Sequence, residues 1–201
     1  MARALVEDGC AVQFWLSKGG DEAYFQKAGE DYHVLSRDYT DPGMAQLVCS
    51  RAKEQNIGLL LIDSYRIESS AIRCVRRRCP TLPVMVFDDG GEKNGLPVQG
   101  VINGNLGSES LNYELNREGL VLQGIYYFPL SGELEQAKPR AKRTSGSVNK
   151  IFLCMGGSDP EGQTLRLINI LKGRIDQEIV DVVLGPYFGP SAEIKDAIAH
   201  D

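Results

Sequence analysis

The sequence predicts an α/β fold built from two Rossmann-like units. Short apolar runs alternate with amphipathic stretches along the whole chain, which is the pattern of an open sheet with helices on both faces. Between residues 131 and 148 this periodicity gives way to Gly, Pro, Ser, Lys and Arg, a composition typical of a linker. We therefore expect an N-terminal unit over residues 1–130 and a second unit over residues 149–201.

The predicted strands are short apolar runs. Their Val, Ile, Leu and aromatic content favours strands, and several are followed at once by a turn-forming Gly, Asp or Asn. In chain order they cover Ala11–Leu16, Tyr32–Leu35, Gly58–Ile62, Pro83–Phe87, Gly100–Ile102, Leu120–Gln123, Ile151–Met155 and Ile179–Leu184.

The predicted helices lie between these strands and carry apolar residues at helical spacing. The first of them ends at Gly9, a residue that commonly stops a helix at its C-terminus. In chain order they cover the segment before Gly9, then Glu22–Ala28, Met44–Gln55, Glu68–Cys79, Glu109–Leu115, Glu161–Leu171 and Ser191–Ala199.

Both ends of the sequence differ from a complete doubly wound sheet. Such a sheet normally begins with a strand, whereas this sequence begins with a helix that stops at Gly9. We expect the N-terminal unit to lack its first strand and the second unit, with two predicted strands, to be incomplete. The strands Ala11–Leu16 and Gly58–Ile62 would then expose edges that recruit other copies, so we expect self-association.

Composition argues against several classes of function. The 201 residues carry 22 basic and 27 acidic side chains, a net charge of −5, which gives no broad positive surface for nucleic acid. No apolar run is long enough to span a bilayer and no signal peptide is visible, so we expect a cytoplasmic protein without a membrane span. The five cysteines never form C-x-x-C, and we expect reduced, mostly buried thiols.

A glycine turn after the strand Ile151–Met155 is the first candidate site. Gly156 and Gly157 permit positive φ and let a ligand approach the backbone, and Asp159 is a suitable N-cap for the helix that follows. Free N–H groups and the dipole at a helix start favour phosphate or pyrophosphate. The alternative is an ordinary tight turn between a strand and a helix.

Polar residues that follow two of the predicted strands are further candidate site residues. Asp63, Ser64 and Tyr65 follow the strand Gly58–Ile62, and ligands of open α/β sheets gather at carboxyl ends of strands. The alternative is that Asp63 or Ser64 caps the next helix. Asn103 and Asn105 follow a later strand and could hold a sugar amide or shape a turn.

Two further features carry weaker signals. Asp88 and Asp89 could hold Mg²⁺, but adjacent strand residues point to opposite faces, so turn-forming roles are favoured. His33 lies in an alternating strand and His200 in the terminal tail, each without a nearby acid–base partner. We therefore predict neither a metal site nor a catalytic histidine in this sequence.

The order of these motifs resembles one known family. LIDSY, VFDDG, VINGNLG, GIYYFPLSGEL, IFLCMGGSDPEGQT and VVLGPYFG follow one another as in the UDP-2,4-diacetamido-2,4,6-trideoxy-β-L-altropyranose hydrolase family of pseudaminic acid biosynthesis. The resemblance extends along the whole chain. It implies a two-domain fold similar to that of GT-B glycosyltransferases, with the active site in the cleft between the domains.

The resemblance also implies a reaction and its residues. The reaction is the hydrolysis of a UDP-sugar at its anomeric carbon, without metal or cofactor. Gly156, Gly157 and Ser158 would hold the pyrophosphate and Tyr65 would face the sugar and the attacking water. Asp63, Ser64, Asn103, Asn105 and Asp159 complete the expected substrate-binding set.

The sequence departs from the family at several positions. The family's catalytic base is a histidine in a Gly-x-Gly-His loop that this sequence does not contain, and Ser131 and Leu134 replace the usual Arg and Phe. We therefore expect negligible hydrolysis by these 201 residues. The alternatives are a glycosyltransferase of the same architecture and a non-catalytic remnant that binds nucleotide weakly.

Overall fold

The structure is a computed structural model. The predicted linker lies outside the described residues, Ser131 included, except for residues 132–135 and 137. His200 also lies outside them. The structure describes residues 1–17, 22–37, 43–115, 119–130, 132–135, 137, 150–172, 174, 179–185, 187–189 and 192–199.

The structure confirms the α/β class and all eight predicted strands to within a few residues. The strands are β1 Phe14–Leu16, β2 Tyr32–Val34, β3 Leu60–Ile62, β4 Val84–Phe87, β5 Gly100–Asn103, β6 Leu120–Gln123, β7 Lys150–Cys154 and β8 Ile179–Val183. The α-helices are α1 Ala2–Glu7, α2 Glu22–Ala28, α3 Met44–Glu54, α4 Ser69–Arg78, α5 Gly132–Glu135, α6 Gln163–Lys172 and α7 Ala192–Ala199. Short 3₁₀ turns cover Ser108–Ser110 and Ile125–Tyr127.

The chain divides into two compact units, Met1–Lys138 and Pro139–Asp201. In the first, β3, β4, β5 and β6 form a parallel sheet in chain order, and β1 pairs with β2 in a separate parallel sheet. In the second, β7 and β8 form a parallel pair. Parallel pairing requires a crossover between consecutive strands, and the helices α4 and α6 provide two of these crossovers.

The core of the first unit lies around the middle strands of its four-stranded sheet. Val86 of β4 pairs with Ile62 of β3 on one side and with Val101 of β5 on the other. Val84, Val86 and Val101 are fully buried, as expected for parallel strands that are covered on both faces. Ile72 of α4 is 1% exposed and belongs to the same core.

The core of the second unit is smaller. Leu153 of β7, Ile168 of α6 and Ile194 of α7 are buried together. Phe152, the neighbour of Leu153 along β7, is 68% exposed, as the alternation of side chains in a strand requires when only one face is covered.

The prediction of a helix over Glu109–Leu115 is wrong. Only the 3₁₀ turn Ser108–Ser110 forms there, because side chains bind the backbone groups that a helix needs. Gln123 Nε2 donates to the carbonyl of Leu111 at 2.9 Å, and the amide of Glu114 donates to Asn94 Oδ1 at 2.6 Å. These contacts hold the segment after the turn away from helical geometry.

The expectation of mostly buried thiols is also wrong. Only Cys49 is buried, Cys74 and Cys79 are half-buried, and Cys10 and Cys154 are exposed. All five thiols are free.

β1 and β3 are among the outer strands of the sheets in the described part of the chain. β1 pairs only with β2, and β3 is an outermost strand of the four-stranded sheet. These are the strands for which exposed edges were predicted, and self-association through them stays a prediction. Among the described residues, no helix has both the length and the apolar content needed to cross a membrane.

Candidate functional site

A cleft of about 240 Å³ lies at the carboxyl ends of β3, β4 and β5 in the first unit. These strands are parallel neighbours, so the residues that follow them meet at one edge of the sheet. The cleft brings together predicted site residues of two separate motifs, Asp63, Ser64, Tyr65 and Asn105. The remaining walls are formed by Phe87, Asp88, Asp89, Gly90, Glu92, Lys93, Ile102, Gly104, Phe128 and Pro129.

Tyr65 is held from across the cleft by Asp89. The ring of Tyr65 is 83% exposed, and its hydroxyl donates a hydrogen bond to Asp89 Oδ2. Asn105 Nδ2 donates to the other carboxylate oxygen, Asp89 Oδ1, at 2.8 Å. The bond to Asp89 raises the pKa of Tyr65, so the phenol stays protonated and donates to the carboxylate. Its oxygen lone pairs remain available to accept a hydrogen bond from a ligand.

Asp63 supplies a second carboxyl group to the cleft. Burial of this group among the cleft walls, followed by the negative charge of Asp89, raises the pKa of Asp63. Ser64 Oγ accepts a hydrogen bond from the amide of Arg66 at 3.1 Å, which forms a local turn. Helix α4 begins at Ser69 with Glu68 as its N-cap residue, so neither Asp63 nor Ser64 caps this helix.

Asp88 shapes the turn after β4, as the sequence favoured. It is 5% exposed and accepts hydrogen bonds from the amides of Glu92 and Lys93 at 3.2 and 3.1 Å. Tyr113 Oη also donates to it at 2.8 Å. Burial raises the pKa of Tyr113 to about 12, so this phenol is a permanent donor at neutral pH.

Asn103 was expected to contact a ligand, but the structure places its side chain away from the cleft. It is 1% exposed and lies outside the cleft lining. Its Nδ2 donates to Tyr113 Oη at 3.0 Å and to the carbonyl of Asp89 at 3.3 Å, and its Oδ1 accepts from the amide of Asn105 at 3.2 Å. Asn103 therefore shapes the turn, and Asn105 is the asparagine that reaches the cleft.

Sequence reasoning missed Asp89 and Phe128 as cleft residues. The sequence suggested Asp88 and Asp89 as a possible Mg²⁺ site and favoured turn-forming roles. In the structure Asp88 is buried, and Asp89 accepts a hydrogen bond from Tyr65. Within the described part of the chain, no group of His, Cys, Asp and Glu side chains could hold a metal ion. Phe128 lies in the cleft because its backbone packs against Gly104, where an added Cβ would meet Phe128 Cα at 2.4 Å.

The predicted glycine turn of the second unit follows β7 directly. Gly156 has φ of 75°, as expected for this position, and Gly156, Gly157 and Ser158 are exposed. The amide of Tyr187 donates to the carbonyl of Gly157 at 3.0 Å, which joins the turn to the loop after β8. The N–H groups of Gly157 and Ser158 donate to no other residue that the structure describes. They are therefore available to donate hydrogen bonds to an anion.

The start of α6 differs from the prediction. The helix begins at Gln163, not at Glu161, so Pro160 does not occupy its first turn. Asp159 has φ of 43° and caps the helix from four residues upstream, accepting from the amides of Gln163 and Thr164 at 2.9 and 2.7 Å. A buried carboxylate therefore covers the end of α6 that was predicted to bind an anion.

Asp159 should stabilise the second unit and oppose anion binding. The Thr164 side chain, and then the Thr164 amide, lower the pKa of Asp159. The buried Thr164 hydroxyl has no well-formed hydrogen bond among the described residues, so we assign the cap to the two amide bonds. Because the pKa is lowered on folding, this stabilisation is complete above the unfolded pKa of about 3.9 and is lost as the pH falls through the folded value.

We expect Asp159→Ala to lower the Tm of the second unit by about 4–8 °C at pH 7, because it removes the cap. Asp159→Asn retains a capping oxygen without the charge and should bind inorganic phosphate more tightly than the natural protein does. Thermal unfolding at pH 7 and pH 3 and phosphate titration by NMR measure both effects. An Asp159→Ala protein with an unchanged Tm at pH 7 would contradict the role of the cap.

Comparison with known proteins gives one distant relative. No protein-family model matches the sequence. The chain aligns with the uncharacterized protein MJ1062 of Methanocaldococcus jannaschii over 87% of its length, with 24% identity. The chain spans 38% of the length of that relative.

Proposed function

We propose that the chain binds a UDP-linked 2,4-diacetamido-2,4,6-trideoxyhexose and takes part in its hydrolysis to UDP and free sugar. The observation that carries this proposal is the cleft in which Asp63, Ser64, Tyr65 and Asn105 meet. The order of motifs along the sequence supports the same reaction. The first unit would bind the sugar, and the glycine turn of the second unit would bind the pyrophosphate.

The charges of the cleft favour this division of roles. Its walls carry four acidic side chains and one lysine. The excess of negative charge repels a pyrophosphate. Carboxylate oxygens and the Tyr65 phenol oxygen are acceptors, and they suit the N–H groups of acetamido substituents and the hydroxyl groups of a sugar. Phe87 and Phe128 add apolar surface for the 6-methyl group and the sugar ring.

Free backbone amides at Gly157 and Ser158 suit the diphosphate, which leaves as a stable anion. Hydrolysis of such a substrate depends more on a base that activates water than on a strong acid. His33, one of two histidines in the sequence, lies in β2 and not in the cleft lining. We therefore expect measurable substrate binding with little turnover by this chain.

The test combines binding with product analysis. Isothermal titration with the UDP-diacetamido sugar, with UDP-glucose and with UDP should show the tightest binding for the first ligand. Any products formed after long incubation should be UDP and free sugar. A sugar product that forms only when an acceptor is added would support a glycosyltransferase instead. Equal affinity for the three ligands would contradict the assignment of the cleft to the sugar.

Tyr65→Phe should weaken binding of the UDP-diacetamido sugar about 5- to 10-fold, because it removes one hydrogen-bonding oxygen. Binding of UDP alone should stay unchanged. Tyr126→Phe is the matched control, since the Tyr126 side chain is 96% exposed and lies outside the cleft lining. Equal losses for UDP and for the UDP-sugar would contradict the contact of Tyr65 with the sugar.

A further inference from the structure

Two cysteines, Cys49 and Cys79, lie at the contact of α3 with α4, and neither lines the cleft of the candidate site. Cys49 lies on α3 and is 9% exposed, and Cys79 is the residue directly after α4. Both line a surface cavity of about 860 Å³ that also includes Arg78. The cavity gives small solutes a route to this pair of thiols.

The backbone geometry places the two cysteines against each other. The carbonyl of Val75, in the last turn of α4, accepts a hydrogen bond from the amide of Cys79 at 2.8 Å. The same carbonyl accepts from Cys49 Sγ at 3.8 Å. The thiol of one cysteine and the backbone of the other therefore share a single acceptor atom.

The two thiols differ in their surroundings. Burial raises the pKa of Cys49 to about 12, and a hydrogen bond with the Cys79 side chain adds to this effect. Cys49 is therefore a protonated, shielded thiol at neutral pH, whereas Cys79 is half-buried at the cavity wall. An oxidant that enters the cavity meets Cys79 first.

We propose that Cys49 and Cys79 form a reversible disulfide bond that joins α3 to α4 when the protein meets a hydroperoxide. Hydrogen peroxide oxidises the Cys79 thiol to a sulfenic acid and is reduced to water. The Cys49 sulfur then attacks the Cys79 sulfur, the S–S bond forms, and the sulfenic hydroxyl leaves as a second water with the Cys49 proton. A dithiol restores both thiols by exchange.

Two observations favour this chemistry over its alternatives. Cys74 lies on the same helix and is half-buried, yet with Cys49 and Cys79 it forms no metal-binding group among the residues described. The Val75 carbonyl, which accepts from both Cys49 Sγ and the Cys79 amide, keeps the two residues close, so the second step is intramolecular. The proposal is independent of the proposed hydrolysis.

In the experiment, the reduced, full chain is treated with increasing concentrations of hydrogen peroxide, and the remaining thiols are blocked with an alkylating reagent. The protein is then digested without reduction, and disulfide-linked peptides are identified by mass spectrometry. We expect a Cys49–Cys79 linked peptide as the main cross-link within monomeric protein, and its loss on addition of dithiothreitol. Cys74→Ser should form the same linked peptide. In Cys79→Ser, Cys49 should remain a free thiol at peroxide doses that cross-link the natural protein.

Two results would overturn the proposal. In one, peroxide oxidises Cys79 beyond the sulfenic acid, and Cys49 still reacts fully with the alkylating reagent once the oxidised protein has been unfolded. The other is a main cross-link that joins Cys74 to Cys79. The mapping of the natural protein decides between these outcomes even where a serine variant fails to fold, and circular dichroism checks the fold of each variant.

Discussion

Gly185→Ala should destabilise the second unit by about 1–3 kcal/mol and should lower the UDP affinity that we propose for this unit at least 10-fold. An added Cβ at residue 185 would lie 2.4 Å from the carbonyl oxygens of Gly156 and Gly157. These atoms belong to backbone and cannot rotate away as a flexible side chain can. The glycine turn must therefore move, and the N–H groups of Gly157 and Ser158 move with it.

Gly189→Ala is the matched control, because an added Cβ there meets no atom within 4 Å. It should change neither UDP affinity nor stability by a measurable amount. Isothermal titration with UDP measures the first effect, and urea unfolding followed by circular dichroism measures the second. A Gly185→Ala protein that is destabilised but binds UDP normally would contradict the assignment of the glycine turn to the nucleotide site. A protein unchanged in both respects would contradict the contact between the two loops.

Ile72→Ala should lower the free energy of unfolding of the first unit by about 2–5 kcal/mol. Ile72 is 1% exposed and packs in the core that contains Val84, Val86 and Val101, so its removal leaves a cavity that the strands cannot fill. Whole domains are stable by about 5–15 kcal/mol, so this single change removes a large part of the total.

Leu120→Ala serves as the control for Ile72→Ala. Leu120 lies in β6 of the same unit and is 50% exposed, so we expect a loss of about 1 kcal/mol or less. Urea unfolding followed by circular dichroism measures both variants under the same conditions. Equal losses for the two variants would mean that the core does not lie around α4 and the middle strands of the sheet.

Hydrophobic patterning sufficed to predict the strands because each consists mainly of apolar residues, with at most one polar residue inside, such as His33 in β2 or Asp181 in β8. The segment after Ser110 shows where patterning fails. Its sequence allows a helix, but Gln123 and Asn94, which are distant in sequence, bind its backbone groups. Contacts of this kind cannot be inferred from local propensity. The start of α6 was misplaced for a related reason, since the Asp159 carboxylate acts from a left-handed position that a local pattern does not indicate.

The candidate site was predictable in part. The rule that ligands gather at carboxyl ends of parallel strands drew Asp63 and Tyr65 into the candidate set, and the structure brings them together with Asn105 in one cleft. It could not decide which of two neighbouring side chains enters the cleft. Asn103 turns inward and Asn105 lines the cleft, and Asp88 is buried in the cleft wall while Asp89 reaches Tyr65. Tyr113 hydrogen-bonds to both Asn103 and Asp88 and so contributes to this choice.

The parallel pairing of the strands also has a kinetic consequence. All five strand pairs of the described chain are parallel, so none of them can form from a local hairpin. Each pair must wait until the chain between its strands has closed a long loop, and closure of this kind slows folding. During that interval the backbone of every strand is open to pairing with another molecule. Yield on refolding should therefore depend on protein concentration much more than the stability of the folded protein does.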